Sequence, residues 1–286
     1  MAMQPVRRSS AAIEDGISKK NFDKLAAYIY NYSGIKMPPA KQTMLEGRLR
    51  RRLRATGMLS FEQYCDFLFR QDGLAQESIY LIDAVTTNKT DFFREPNHFQ
   101  FMRQKAMPAL LANGVRRVRS WSSACSTGAE PYTMAMVFED MLSDRSDIDY
   151  SILATDLSTE VLQTARKGIY SIDMVQPVPS ELRQRFVMQA VARDRKEVRI
   201  TPRLRSKVGF ARMNLMDETY PVGDPMHLIF CRNVMIYFDK ATQEKVLTRL
   251  VANLARGGYL FIGHSETIAG FDLPLKTVAN TVFQRV

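Results

Sequence analysis

The chain has 286 residues, of which 45% are hydrophobic and 24% charged, with three cysteines, three histidines and a formal net charge of +10. That length accommodates one large domain or two smaller ones with proper cores, and the composition is globular, which excludes a wholly disordered chain. No apolar run approaches the roughly 18 residues that span a bilayer, and the arginines near the N-terminus precede no apolar stretch. The expected location is therefore the cytoplasm, with no membrane insertion. Cys65, Cys125, Cys231, His98, His227 and His264 lack metal-ligand spacing. No metal is expected, and the thiols read as small apolar residues of a reducing compartment. Spacing alone leaves a Cys–His nucleophile open. The positive charge favours a polyanionic partner, whether nucleic acid, an acidic protein surface or an anionic membrane, without choosing among them.

Residues 1–18 read as a flexible leader, and residues 19–85 as a small helical domain. In SKKNFDKLAAYIYNYSG, Phe22, Leu25, Ala26 and Ile29 recur at helical spacing and Gly34 follows as a stop. In KQTMLEGRLRRRLRATG, Leu45, Leu49 and Leu53 form one stripe and Gly57 closes the helix. Arg48, Arg50, Arg51, Arg52 and Arg54 lie off that stripe or flank it. Ser60 and Gln63 form a capping-box pair ahead of Phe61, Tyr64, Cys65 and Leu68, and LAQESIYLIDAVTTN supplies a fourth helix.

Residues 86–100 read as a linker, and 101–286 as an α/β domain. Short apolar runs alternate with helical patterns from about residue 115, which predicts βαβ units and a largely parallel sheet. The predicted strands are RVRSWSS, DYSILATD, VGFARMN, MHLIFCRN, GYLFIGH and TVFQRV. Helices are predicted at Pro131–Leu142, Ser158–Lys167 and Ala241–Ala255, the last stopped by Gly257-Gly258. Residues 170–205 break the rhythm and read as an insertion, a small β-element with alternation in EVRIT.

Candidate chemistry gathers at predicted strand ends. The turn WSSACSTGAEPY places Gly128, Glu130 and Pro131 where a doubly wound sheet meets a cofactor. Its single glycine fails the dinucleotide fingerprint, which favours a cofactor without a diphosphate, such as S-adenosylmethionine. An ordinary strand–helix turn is the alternative. Asp156, 28 residues after Gly128, ends the second strand and is placed either to accept from ribose hydroxyls or to favour a helix start. LIFCRNVMIYF ends in Arg232-Asn233 at a carboxyl edge, followed by Tyr237, a pocket or a core residue, and Asp239, a helix cap. In the linker, Asn88, Thr90 and Arg94 surround Phe92-Phe93.

The segments TTNKTDFFRE, WSSACSTGAEPY, ATDLSTEVLQTARKGIY, FCRNVMIYFD and GGYLFIGHSE, in this order, resemble the signatures of the CheR family of chemotaxis receptor methyltransferases. The resemblance covers about residues 20–286. It implies a Rossmann-like class I methyltransferase sheet, a small helical N-terminal domain and an inserted β-subdomain. It further implies S-adenosylmethionine as cofactor and transfer of its methyl to glutamate carboxylates of chemoreceptors. By the same resemblance, Asn88, Thr90 and Arg94 reach the cofactor, Glu130 faces its amino group and Asp156 its ribose. Asn214 and Leu215 flank the adenine, and Cys231, Arg232 and Asn233 line the methionine moiety. Arg94 is expected to orient the substrate carboxylate and Tyr237 to line the transfer position. The arginines of the second helix are expected to dock on the receptor's acidic helical region. VARDRKEVRI has no glycine, so binding of a receptor C-terminal pentapeptide is not expected. A monomer is expected. A nucleic acid methyltransferase is the alternative, but RNVMIY is not the Asn/Asp-Pro-Pro-aromatic motif of base amino-group methylation, and the basic helix lacks interleaved aromatics.

Overall fold

The computed structural model describes residues 16–192 and 195–286. The expected leader falls outside the described residues at 1–15, as do Arg193 and Asp194 of VARDRKEVRI. The chain forms two compact units, one made of the segment ending at Tyr32 with Lys36–Thr86, the other of Ser33–Ile35 with Thr87–Val286. Among the described residues no helix is long and apolar enough to cross a membrane.

The first unit holds α1 (Lys19–Ser33), α2 (Gln42–Thr56), α3 (Phe61–Arg70) and α4 (Leu74–Val85). The leucine stripe Leu45, Leu49 and Leu53 is fully buried, and Gly57 takes the left-handed conformation that ends α2. The Ser60 hydroxyl accepts from the Gln63 N–H at 3.1 Å, the cap that starts α3. The arginines of α2 do not act alike. Arg52 grips the buried carboxylate of Glu77 with two bonds, Nε to Oε1 at 2.6 Å and Nη2 to Oε2 at 2.9 Å, and Tyr64 donates its hydroxyl to the same group at 2.9 Å. Arg48 donates to the carbonyls of Val85 and Thr86, satisfying the end of α4. Arg51 and Arg54 face solvent. The expected uniform cationic face is thus divided, because two of its arginines complete buried acceptors. Glu77→Gln should cost about 3 kcal/mol in urea unfolding of the whole chain, since it leaves the Arg52 guanidinium without its counter-charge. A loss under about 1 kcal/mol would show that the triad contributes no net stability.

The second unit opens with α5 (Pro96–Phe101), a π-helical segment at Met102–Ala106 and α6 (Met107–Ala112). There follow β1 (Arg117–Ser122), α7 (Ala129–Met141), β2 (Asp149–Asp156) and α8 (Thr159–Lys167). The insertion contains β3 (Ile169–Ser171), α9 (Ser180–Phe186), β4 (Val187–Gln189) and β5 (Glu197–Ile200). The chain returns through α10 (Pro202–Arg205), β6 (Val208–Arg212), β7 (Met226–Cys231) and α11 (Lys240–Ala252). It ends with β8 (Leu254–Ile262), β9 (Leu275–Ala279) and β10 (Val282–Arg285). The main sheet has the order β6-β2-β1-β7-β8-β10-β9, its first five strands parallel and β10 antiparallel to both of its neighbours, β8 and β9. The insertion forms its own antiparallel sheet, β3-β5-β4.

Alternate residues of the central strands feed two cores. Val118, Leu228, Phe230 and Phe261 pack on the α7 side, and Trp121, Ile229, Cys231, Leu260 and Ile262 on the α11 side. One predicted boundary is corrected. Gly257-Gly258 do not stop a helix: α11 ends at Ala252, and Leu254 already pairs with Met226. The register then slips, because Leu228 pairs with Tyr259, so the residues between bulge out of β8. Gly257 sits there at φ +75°, and a Cβ on Gly258 would lie 2.9 Å from the His227 carbonyl oxygen.

Candidate active site

Strand order reverses between β2 and β7 on either side of β1, so their carboxyl ends, at Ser122, Asp156 and Cys231, border one crevice. Gly128 precedes α7 at φ +93°, and a Cβ there would meet the Ala165 Cβ at 2.9 Å and the Tyr170 Oη at 3.0 Å. Only glycine fits. The Asp156 carboxylate takes the Ser126 N–H on Oδ2 at 2.8 Å and the Ser158 N–H on Oδ1 at 2.9 Å, which ties the end of β2 to the loop after β1. Ser126 then donates its hydroxyl to the Asn88 carbonyl at 2.8 Å, fixing the TTNKTDFFRE segment on that loop.

Arg232 occupies the centre. Its side chain is 2% exposed and lies between two carboxylates, with Nη1 3.0 Å from Glu130 Oε2 and Nη2 3.0 Å from Glu95 Oε2. Nη2 also donates to the Arg94 carbonyl. Ser122 donates to Glu130 Oε1 at 2.7 Å, and the Asn233 amide donates to Glu95 Oε1 at 3.0 Å. Burial would push the Glu95 carboxyl up, but the Asn233 hydrogen bond and the Arg232 charge outweigh it and hold the group at about 2. Burial pushes the Glu130 carboxyl upward, with Arg232 and Ser122 pulling against it. Each Glu130 oxygen accepts one of these bonds, which leaves lone pairs for a positive ligand group.

Four non-glycine residues around this network, Phe93, Glu95, Ser126 and Asn233, adopt φ between +50° and +58°. Each costs about 1–3 kcal/mol. Such strain persists where surrounding bonds over-determine the backbone, and two of these residues, Glu95 and Asn233, carry atoms of the network itself.

The other predicted residues fall as follows. Asn88, Thr90 and Arg94 are half-buried in the docked segment, and Arg94 donates Nη1 to the Lys89 carbonyl at 3.0 Å. Asn214 accepts the Met216 N–H on its side chain at 3.0 Å, a turn just beyond β6, and Leu215 beside it is buried. Cys231 is fully buried and burial pushes its thiol up, as it does for Cys125. Cys65 is likewise buried with its thiol pushed up, so all three thiols sit where burial disfavours the thiolate a Cys–His nucleophile needs. Tyr237 ends the 3-10 turn Met235–Tyr237, half-buried, and Asp239 caps α11 by accepting the Thr242 N–H at 2.8 Å.

Sequence reading assigned no role to Glu95 or Glu266, although both stand in the motif segments. Nor did it bring His98 and His264 together. Their ring nitrogens and a Glu95 oxygen lie within 4.8 Å of one another. Burial first, then the Arg232 charge, holds His98 down at about 4, so it stays neutral, bonded to the Thr281 hydroxyl at 2.8 Å. Glu95 is already engaged by Arg232 and Asn233, and it also accepts the His264 backbone N–H at 3.3 Å.

The crevice fits S-adenosylmethionine in chemistry. Glu130 offers an acceptor for an ammonium and Asp156 an acceptor for hydroxyls, on either side of the Gly128 turn.

Residues 88–283 match the family described as CheR methyltransferase, SAM binding domain, and residues 20–86 match CheR methyltransferase, all-alpha domain. The "Chemotaxis protein methyltransferase" of Borreliella burgdorferi is 39% identical over 259 residues, 89% of this chain and 90% of that protein. The protein so named from Salmonella typhimurium is 38% identical over 267 residues, 93% of this chain and 90% of its own. Its Escherichia coli counterpart is 36% identical over 271 residues, 93% and 91% of the two chains.

Proposed function

The chain belongs to the CheR methyltransferase family, and from that premise we propose that it transfers methyl from S-adenosylmethionine to glutamate side chains of bacterial chemoreceptors, in the cytoplasm. The observation that carries this reading is the pair of acidic acceptors, Glu130 and Asp156, flanking the Gly128 turn at the reversal of strand order. When bound, the cofactor supplies a methyl group on a positively charged sulfur. Glu130 holds the ammonium and Asp156 the ribose, while Asn214 and Leu215 flank the adenine. Cys231, Arg232 and Asn233 line the methionine end, and Asn88, Thr90 and Arg94 close over it.

A glutamate carboxylate, with a reference pKa of about 4.3, is already ionised at neutral pH and needs no general base. In keeping with that economy, His98 is buried and held neutral, and burial pushes the Cys125 and Cys231 thiols up. What remains for the protein is alignment and exclusion of water, effects worth several kcal/mol. Arg94 orients the substrate carboxylate and Tyr237 lines the transfer position. Tyr237→Phe should lower kcat about tenfold with the KM for cofactor little changed. An unchanged kcat would remove the hydroxyl from the mechanism.

Receptor docking is assigned to the most exposed arginines of α2, Arg51 and Arg54, with Arg50 at their flank. Exposed charges steer an acidic partner and are screened by salt. Receptor methylation should therefore slow about tenfold between 50 and 300 mM salt, whereas S-adenosylhomocysteine affinity barely moves. Arg51→Glu with Arg54→Glu should flatten that salt dependence. Equal salt sensitivity of both measurements would count against the docking role.

The decisive experiment labels chemoreceptor-containing membranes with radioactive methyl and treats them with mild alkali. Volatile methanol is expected, the product of a carboxyl methyl ester. Alkali-stable label would sink the glutamate reading.

A further inference from the structure

Glu266 has no part in the cofactor contacts above, yet it is 8% exposed and its carboxylate points into backbone. Oε2 accepts the N–H groups of Asn233 at 3.0 Å and Gly263 at 2.5 Å, and Oε1 accepts that of Met235 at 2.8 Å. These donors share one feature. They belong to the loop that leaves β7 with Asn233 at φ +58°, to the 3-10 turn Met235–Tyr237, and to the glycine that ends the next strand. The contact leaves no slack, because a Cβ on Gly263 would lie 2.5 Å from Asn233 Nδ2 and 2.9 Å from Glu266 Oε2.

A buried carboxylate receiving several backbone N–H bonds is worth far more than a neutral acceptor, and it opposes the strain of a left-handed asparagine. Burial pushes the group's pKa upward while those bonds pull it down. The turn it anchors carries Tyr237 at its end, and the loop carries Asn233, whose amide holds Glu95.

We propose that Glu266 is a positioning residue for methyl transfer: its carboxylate holds the loop after β7 so that Tyr237 lines the transfer position. The inference rests on the role given to Tyr237 above. Glutamine at this position keeps the volume but turns one acceptor oxygen into an NH₂ group facing N–H donors.

The test compares the full-length enzyme with Glu266→Gln, Glu266→Asp, Tyr237→Phe and the double variant Glu266→Gln/Tyr237→Phe. Active sites are counted by bound S-adenosylhomocysteine, so misfolded molecules do not enter the rate. Glu266→Gln should lower kcat per site about thirtyfold while changing S-adenosylhomocysteine affinity less than about fivefold. Glu266→Asp, which keeps the charge, should recover part of the rate. Hydrogen exchange should speed up at least tenfold over residues 233–237 and stay unchanged in α11 and β7, which a general loss of stability would not produce. In the Tyr237→Phe background the penalty of Glu266→Gln should shrink, because the two act in series.

An unchanged kcat per site or unchanged exchange in Glu266→Gln overturns the inference, and so do fully additive penalties. If Tyr237→Phe still slows transfer in that case, only the role of Glu266 has failed. A Tyr237→Phe enzyme of full activity overturns the Tyr237 reading itself, and the inference with it.

Discussion

Arg232→Met should destabilise the second unit by about 4 kcal/mol, among the largest losses of any single substitution in the chain. The guanidinium is buried between Glu95 and Glu130, and methionine fills much the same volume without a charge. Glu95 then loses its strongest bonds while Asn233 and the His264 N–H remain, and Glu130 keeps only Ser122. Two carboxylates are left in an apolar site without a cation, which is the costly way to break a buried pair. The sole tryptophan, Trp121, is fully buried in β1 and donates to the Thr155 hydroxyl at 2.9 Å. Its fluorescence in urea therefore reports this unit separately from the helical one, which avoids a two-state fit to two units. Neutralising one acceptor as well, in Arg232→Met/Glu95→Gln, should recover about 1–2 kcal/mol of the loss. Arg232→Lys should fall between, since a single ammonium cannot engage both carboxylates in the fork geometry of a guanidinium. A loss under about 1 kcal/mol for Arg232→Met would mean that the network is solvated and contributes little.

The elements that sequence reading recovered are those whose signals are local. The Leu45, Leu49 and Leu53 stripe, the Ser60 and Asp239 caps and the buried run of β7 each depend on spacing within a few residues. The bulge at Gly257-Gly258 was not legible. Leu254 continues the helical period of α11, and only its pairing with Met226 shows that it belongs to a strand. β9 was missed for a similar reason: its residues are mostly exposed, so it has no alternation to read. The site divides along the same line. Gly128, Asp156 and Arg232-Asn233 announce themselves as polar or small residues at strand ends. Glu95 and Glu266 matter through partners 137 and 33 residues away, separations at which a sequence carries no periodicity. The arginines of α2 show the converse. Charge made all five look alike, whereas Glu77, a neighbour supplied by the fold, takes Arg52 out of the surface.

The second large effect concerns Asp156. Asp156→Asn should raise the dissociation constant for S-adenosylhomocysteine about 100-fold, equivalent to about 3 kcal/mol. Two losses add. The carboxylate accepts the Ser126 N–H on Oδ2 and the Ser158 N–H on Oδ1, and the proposed reading adds the two ribose hydroxyls as donors to it. Asparagine has one acceptor oxygen, so its NH₂ must face either a backbone N–H or a hydroxyl that was donating. Hydrogen bonds to a charged acceptor are worth about 1.5–3 kcal/mol each, and losing one or two accounts for the expected magnitude. Calorimetric titration with fragments separates the two losses. If Asp156 binds ribose, adenosine affinity falls with that of the whole ligand and methionine affinity does not. If Asp156 only ties the end of β2 to the loop after β1, Trp121-detected stability falls by about 1 kcal/mol and both fragments weaken together through the displaced Gly128 turn. A dissociation constant within about threefold of wild type would leave Asp156 as a structural cap and would move the ribose assignment to another residue of the crevice.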